Sequence, residues 1–163
     1  MLFHASFTAR NPKKVAHVLA EITGATAIRA PSPPFPEDSW FACYGDEHGS
    51  LLEVLPWGTT LDQNAPRGVG YDVDMRPRSG AHVLVKTERS VGDVQVIAQR
   101  EGWHAEVIDA RLFKVLKVWI ENSVLVEFLT PDTAGLYRST FGSDGIAALD
   151  GKLRALEAAL RAR

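Results

Sequence analysis

Four side chains with metal-ligating chemistry stand at matched places in the chain: His4 and Glu53, then His82 and Glu127. Each histidine lies in a short strand-like run, Phe3-His4-Ala5-Ser6-Phe7-Thr8 or Ala81-His82-Val83-Leu84-Val85-Lys86. Each glutamate lies in another, Leu51 to Pro56 or Val124 to Leu129. Alternate residues of a strand share a face, so Glu53 has Leu51 and Leu55 beside it, and Glu127 has Leu125 and Leu129. The opposite faces, Leu52 and Val54 or Val124, Val126 and Phe128, are apolar too. A carboxylate in such surroundings is costly to bury unless a partner compensates it. A metal cation would compensate both. Two imidazoles and two carboxylates form a mixed nitrogen and oxygen set that suits divalent zinc, nickel, cobalt, manganese or iron without choosing among them. With water in its remaining positions, such a site polarises a substrate oxygen and lowers the pKa of a bound water. A single histidine in an apolar strand is more often a hydrogen-bonded core residue. Four suitable residues at matched places in a repeat weigh against that reading.

The elements that must position these residues repeat. From Leu2 to Ala9 the chain alternates, with Ala5, Phe7 and Ala9 on one side and His4, Ser6 and Thr8 on the other. Asn11-Pro12 starts a helix over about Pro12 to Ile22, with Val15, Val18, Leu19 and Ile22 as its apolar stripe and Gly24 as its stop. Strands follow at Ala25 to Ala30, Trp40 to Tyr44 and Leu51 to Leu55, separated by the proline-rich loop 31–36 and a turn at Gly45 to Gly49. The second half repeats this plan: a strand from Ala81 to Thr87, a helix capped by Ser90 from Val91 to Arg100, then strands at Trp103 to Ile108, Phe113 to Glu121 and Val124 to Leu129. Laying His4 on His82 puts Gly24 on Gly102 without a gap. Glu53 and Glu127 are then four residues out of step, a surplus assigned to the proline-rich loop. These observations predict an α+β fold of two tandem βαβββ modules, about 2–56 and 80–131, joined by a connection over 57–79. Asp72 and Asp74 in that connection lack the rest of a calcium-loop pattern and read as a solvated loop.

The tail, 132–163, differs in character. Ser143 is a candidate N-cap for a helix over about 144–162, in which Ile146, Leu149, Leu153, Leu156 and Leu160 recur at helical spacing. Such a stripe either docks on the chain's own sheet or pairs with a second copy.

Composition excludes several classes. A chain of 163 residues buries a proper core, and 45% hydrophobic with 23% charged residues is ordinary for a globular protein. A net charge of -2 offers no field for nucleic acid. No apolar run is long enough to span a membrane and no leader pattern opens the sequence, so the expectation is a soluble, cytoplasmic protein. The single cysteine, Cys43, excludes an internal disulfide and reads as a small buried hydrophobe. His17, His48 and His104 have no repeat partner and read as surface residues.

The duplicated βαβββ plan, with histidine in the first strand and glutamate in the last strand of each copy, resembles the vicinal oxygen chelate superfamily of glyoxalases, bleomycin- and fosfomycin-resistance proteins, epimerases and extradiol dioxygenases. The resemblance covers about 2–131, one glyoxalase-like domain, and leaves the tail outside. It implies a cup-shaped, barrel-like sheet around one divalent metal held by His4, Glu53, His82 and Glu127. That set looks like the glyoxalase I arrangement, whereas the dioxygenases and fosfomycin enzymes typically use two histidines and one glutamate. The resemblance therefore implies isomerase or lyase chemistry on a small molecule with vicinal oxygens, through an enediolate, with Glu127 and then Glu53 as candidate base. Lys117 and Trp119 share a face that, inside such a cup, would contact an anionic or aromatic substrate. The other reading is a metal-free or drug-sequestering binding protein on the same fold.

Overall fold

The structure, a computed structural model, describes residues 3–61, 63–76, 80–146 and 148–161. Leu2 and residue 162, the expected ends of the first strand and last helix, lie outside the described residues, as do 77–79 at the end of the connection.

The first module runs β1 (His4–Ala9), α1 (Pro12–Thr23), β2 (Thr26–Arg29), β3 (Trp40–Cys43) and β4 (Leu51–Pro56). Local chemistry sets the helix ends. The Asn11 side chain accepts from the Lys14 N–H, Pro12 takes the first position, and Gly24 closes the helix in the left-handed region at φ 77°. The strands pair in the order β1-β4-β3-β2, with β1 parallel to β4. Within the expected connection over 57–79, β5 (Thr59–Leu61) and β6 (Val69–Tyr71) form a small antiparallel hairpin, with a 3-10 turn at Pro66–Gly68 between them.

The second module repeats the order with β7 (His82–Lys86), α2 (Val91–Glu101), β8 (His104–Asp109), β9 (Lys114–Ile120) and β10 (Val124–Leu129), paired β7-β10-β9-β8. Ser90 and Asp93 form a reciprocal capping box at the start of α2, and Gly102 ends it as Gly24 ends α1. The architecture is thus α+β, with two four-stranded sheets rather than one closed barrel.

One face of each sheet is covered by its helix. Val15, Val18, Leu19 and Ile22 of α1, Val94 and Ile97 of α2, and Leu52, Val54, Leu116, Val118, Val126 and Phe128 of the strands belong to one core that spans both modules. Side chains at alternate positions, the histidines and glutamates among them, take the other face. Ion pairs bind the helices across the seam, Lys14 Nζ to Glu101 at 2.7 Å and Arg100 to Glu21 at 2.6 Å.

The tail holds the largest departure from expectation. It contains three helices, α3 (Pro131–Phe141), α4 (Ser143–Ile146) and α5 (Leu149–Arg161), instead of one. Pro131, expected only to end the module, is the first residue of α3, whose Thr133 hydroxyl accepts from the Thr130 N–H at 3.1 Å. Tyr137 and Phe141 pack edge-on against Phe113, and Thr140 donates to the Leu112 carbonyl at 2.6 Å, so α3 is fastened to the second module. None of the α5 side chains is buried, and Leu149, Leu153 and Leu156 are half-buried.

Candidate functional site

Strand register gathers the four candidate ligands into a repeated pattern. In the first module a cross-strand row contains His4, Leu51, Cys43 and Thr26, and the next row on the same face contains Ser6, Glu53, Phe41 and Ile28. In the second module the corresponding rows are His82, Leu125, Trp119 and His104, then Leu84, Glu127, Lys117 and Glu106. Each histidine is therefore one row from its glutamate, diagonally across the parallel strand pair. The rows also locate the surplus of the first half. Ile28 matches Glu106, 78 residues on; Phe41 matches Lys117, 76 on; Glu53 matches Glu127, 74 on. Two extra residues lie between β2 and β3, in the segment with the proline-rich loop, and two more lie in the β3–β4 turn. The expectation that the loop held all four is corrected.

The two halves use this shared frame differently. His82 Nε2 lies 3.6 Å from Glu127 Oε2, and Lys117 Nζ lies 3.8 Å from the other oxygen, Oε1. The Glu127 side chain is only 12% exposed, Lys117 29% and His82 49%. Glu53 is as buried, at 9% for the residue, but it takes the Ser6 hydroxyl as its partner in a short hydrogen bond, and no ion pair joins it to His4. The cause is the residue opposite each carboxylate on the first strand of its module. Ser6 offers a donor where Leu84 offers none, so Glu127 turns to His82 and Lys117. His4 stays exposed at the start of β1.

The donor chemistry fits a divalent cation at one of the two pairs. Two donors sharing such an ion at about 2.1 Å each lie roughly 3.4 Å apart in tetrahedral geometry, close to the 3.6 Å between His82 and Glu127. His4 and Glu53 do not join them: among the described residues no three His, Cys, Asp or Glu side chains come together as a metal-binding group. His82 and Glu127 are a two-donor half-site, short of the three protein ligands that catalytic sites commonly supply.

Other expected residues fall where their chemistry suggests. Trp119 stands in the His82 row, half-buried, one strand beyond Leu125. His17, His48 and His104 are exposed. Asp72 accepts from the Asp74 N–H at 2.8 Å in an exposed turn. Cys43 is half-buried rather than buried, and desolvation pushes its thiol up, away from the reactive thiolate. Sequence reasoning missed Glu121, which accepts from the Arg10 and Asn11 N–H groups at 2.6 and 2.9 Å and ties the β9–β10 turn to the entry of α1. It also missed the role of Ser6. The visible signal was a hydroxyl two residues after His4 on the same face, and only the strand order reveals the carboxylate opposite.

No family model matches the sequence, and no curated protein is similar to it by sequence. Solved structures are similar in fold. The fosfomycin resistance protein FosX from Listeria monocytogenes, complexed with Mn(II) and sulfate, superimposes with a TM-score of 0.52 at 13% identity, over 80% of this chain and 89% of that one. A mutant of the same protein with Mn(II) and 1S,2S-dihydroxypropylphosphonic acid gives 0.51 at 13% identity, over 78% and 90%. A glyoxalase family protein from Bacillus anthracis gives 0.52 at 14% identity, over 80% and 93%. The chain has the vicinal oxygen chelate fold.

Proposed function

We propose that this chain is a divalent-metal-dependent enzyme of the glyoxalase-like group, an isomerase or lyase acting on a small molecule with two adjacent oxygens. The observation that carries the reading is the diagonal pair His82 and Glu127, 3.6 Å apart on the sheet face turned from the helix, with His4 and Glu53 at the same two positions of the other module. Mn(II) and a vicinal diol in the fold neighbours support it. A divalent ion held by His82 and Glu127, with His4 and Glu53 as further candidate ligands, would polarise the adjacent substrate oxygens.

The chain's own groups do the remaining work. Glu127 is the first candidate base, and Glu53 the second. The base takes a proton from the carbon beside a carbonyl; the C–H pair becomes a carbon–carbon double bond and the carbonyl π pair moves onto its oxygen. Returning the proton to the former carbonyl carbon, as the first carbon's hydroxyl loses its proton and becomes the new carbonyl, completes an isomerisation; where the first carbon instead carries a neighbour with a leaving group, re-forming the carbonyl expels that group and leaves a double bond, a lyase step. Lys117 balances charge beside Glu127 and offers a donor to an anionic substrate, while Trp119 gives the site an aromatic wall.

A second reading, a metal-free small-molecule binding protein, draws on a different observation: Lys117 already compensates Glu127, and no third donor is gathered among the described residues. Elemental analysis of protein purified without added metal, followed by calorimetric titration with Mn(II), Zn(II), Ni(II), Co(II) and Fe(II), separates the two. The enzyme reading expects saturable uptake of at least one ion and its loss in His82→Ala. No uptake of any ion removes that reading in favour of the binding protein. Hemithioacetal isomerisation by the metal-loaded protein tests glyoxalase I activity itself, and its absence under every metal would remove that assignment. Further parts of the proposal are a cytoplasmic location, in keeping with the lone thiol, and a homodimer formed through α5. Among the described residues no helix is long and apolar enough to cross a membrane.

A further inference from the structure

The connection between the modules leaves the first sheet at Trp57 and comes back to it at Met75. Trp57 is fixed from two sides. Its backbone N–H donates to the Ala9 carbonyl at 2.8 Å, and the Arg10 guanidinium stands 4.7 Å over its ring while donating to the Ser123 hydroxyl of the second module at 3.0 Å. The return is fixed as well. The Asp72 N–H donates to the Gly58 carbonyl at 2.7 Å, Tyr71 packs so close to Gly58 that a Cβ there would lie 2.3 Å from the ring, and the Thr8 hydroxyl donates to the Met75 sulfur at 3.4 Å.

Trp57 and Met75 are thereby walls of a cleft of about 340 Å³ at the seam of the two modules, within the size range of small-molecule sites. Ser6 and Thr8 of β1 line it from the first module, His82 and Leu125 from the second, all on the sheet faces turned from the helices. Ser6 holds Glu53 and His82 stands beside Glu127, so this one cleft touches both of the unlike pairs. Its charge is one-sided. Arg76 lines it, and among the described residues no acidic side chain does.

We propose that this cleft is the substrate subsite and that it selects an aromatic acid, with the aryl ring against Trp57 and Met75 and the carboxylate at Arg76. The placing of the substrate's adjacent oxygens at His82 rests on the metal-enzyme reading above; the choice of an aromatic acid goes beyond it. An indole stacks on an aryl ring, and a thioether sulfur adds a favourable contact at the ring edge. Arg10 and the backbone bonds hold the indole in place beforehand, so little ordering is left for the ligand to impose. A merely apolar cleft would prefer a saturated ring, which is the more hydrophobic of the two.

That difference supplies the test. Phenylacetate, cyclohexylacetate and 2-phenylethanol are titrated into the metal-free full chain and followed by backbone amide chemical shifts. Phenylacetate is expected to give saturable shifts at Trp57, Val83 and Leu125, and to bind about fivefold tighter than either of the others. Trp57→Leu is expected to reverse the preference over cyclohexylacetate, and Arg76→Gln to erase the preference over 2-phenylethanol. Arg76 is exposed, so the second variant decides the matter should the first fail to fold. Shifts that cluster elsewhere or do not saturate overturn the proposal, as does tighter binding of cyclohexylacetate by the wild type or the survival of either preference in its variant. Phenylacetate bound by a chain that takes up no metal would uphold the subsite and remove the metal reading. Metal uptake by a chain that does not bind phenylacetate would overturn the subsite and leave the metal reading standing.

Discussion

Ser6 and Leu84 occupy the same position in the two modules, and the difference between a hydroxyl and an isobutyl group decides what each buried carboxylate does. Glu53 is held by Ser6; Glu127 is left for an imidazole and an ammonium. Ser6→Ala leaves Glu53 without its hydroxyl in surroundings formed by Leu51, Leu55 and Phe41. It is expected to destabilise the protein by about 1–3 kcal/mol in urea unfolding at neutral pH. A variant as stable as wild type would show that Glu53 has another partner. Lys117 poses the converse test. Its ammonium stands beside a candidate metal ligand, and like charges so close oppose each other by on the order of 1 kcal/mol in a well-screened site. Lys117→Met is therefore expected to tighten Mn(II) several-fold in calorimetry while slowing turnover of an anionic substrate. Weaker Mn(II) binding would mean that Lys117 assists the site rather than competing with it. The histidines and glutamates were legible from the sequence because residue type and repeat position coincide. Their separation into two unlike pairs was not, because it depends on which side chain faces each carboxylate across the strand pair.

Elements were legible in proportion to how local their signals are. Asn11, Gly24, Ser90 and Gly102 mark helix ends through hydrogen bonds made within a few residues, and α1 and α2 begin where these residues predict. α3 was missed although its start is marked the same way, by Thr130 and Pro131, because Pro131 also suits the end of a strand. The division of the four-residue surplus between loop and turn depends on cross-strand register, which no short stretch encodes. Nor does local sequence show the bridges between α1 and α2. The Arg100 guanidinium holds Glu21 below the usual carboxylate range; Lys14, then Arg100, does the same for Glu101. A carboxylate lowered on folding adds stability that is complete above its unfolded value and is lost as pH falls through the folded one. Both shifts are downward, so the seam contributes fully at neutral pH and weakens below about pH 4.5. Arg100→Met is expected to lower Tm at pH 7 modestly and to flatten the fall of Tm between about pH 5 and 3. A pH profile parallel to wild type would place the acid sensitivity elsewhere. These groups are partly exposed, so salt should shrink the difference between the two proteins.

At the scale of the whole molecule, the two modules share one core, and α3 extends it through Phe113, Tyr137 and Phe141. α5 contributes no residue to that core. It spans Leu149–Arg161 with no buried side chain, and an isolated helix of that length is marginal in water. Leu149, Leu153, Leu156 and Leu160 follow the spacing of four, three and four that a two-helix seam requires. Beside the seam, Lys152 and Glu157 are five residues apart, the separation at which flanking charges meet between parallel helices. A second copy laid parallel to the first would therefore cover the leucines and pair Lys152 with Glu157 twice, whereas an antiparallel copy would bring Asp150 towards the Glu157 of its mate. With less than two full heptads, the contact is expected to be weak and dependent on concentration. Sedimentation of the full chain should show a dimer at high micromolar concentration that dissociates on dilution, and Leu153→Arg should hold the protein monomeric without lowering Tm, since no core residue is touched. A wild-type monomer throughout that range would sink the dimer. A dimer that survives Leu153→Arg would move the interface to another surface, of which the Leu61 and Tyr71 side chains exposed on the β5–β6 hairpin are the first to test.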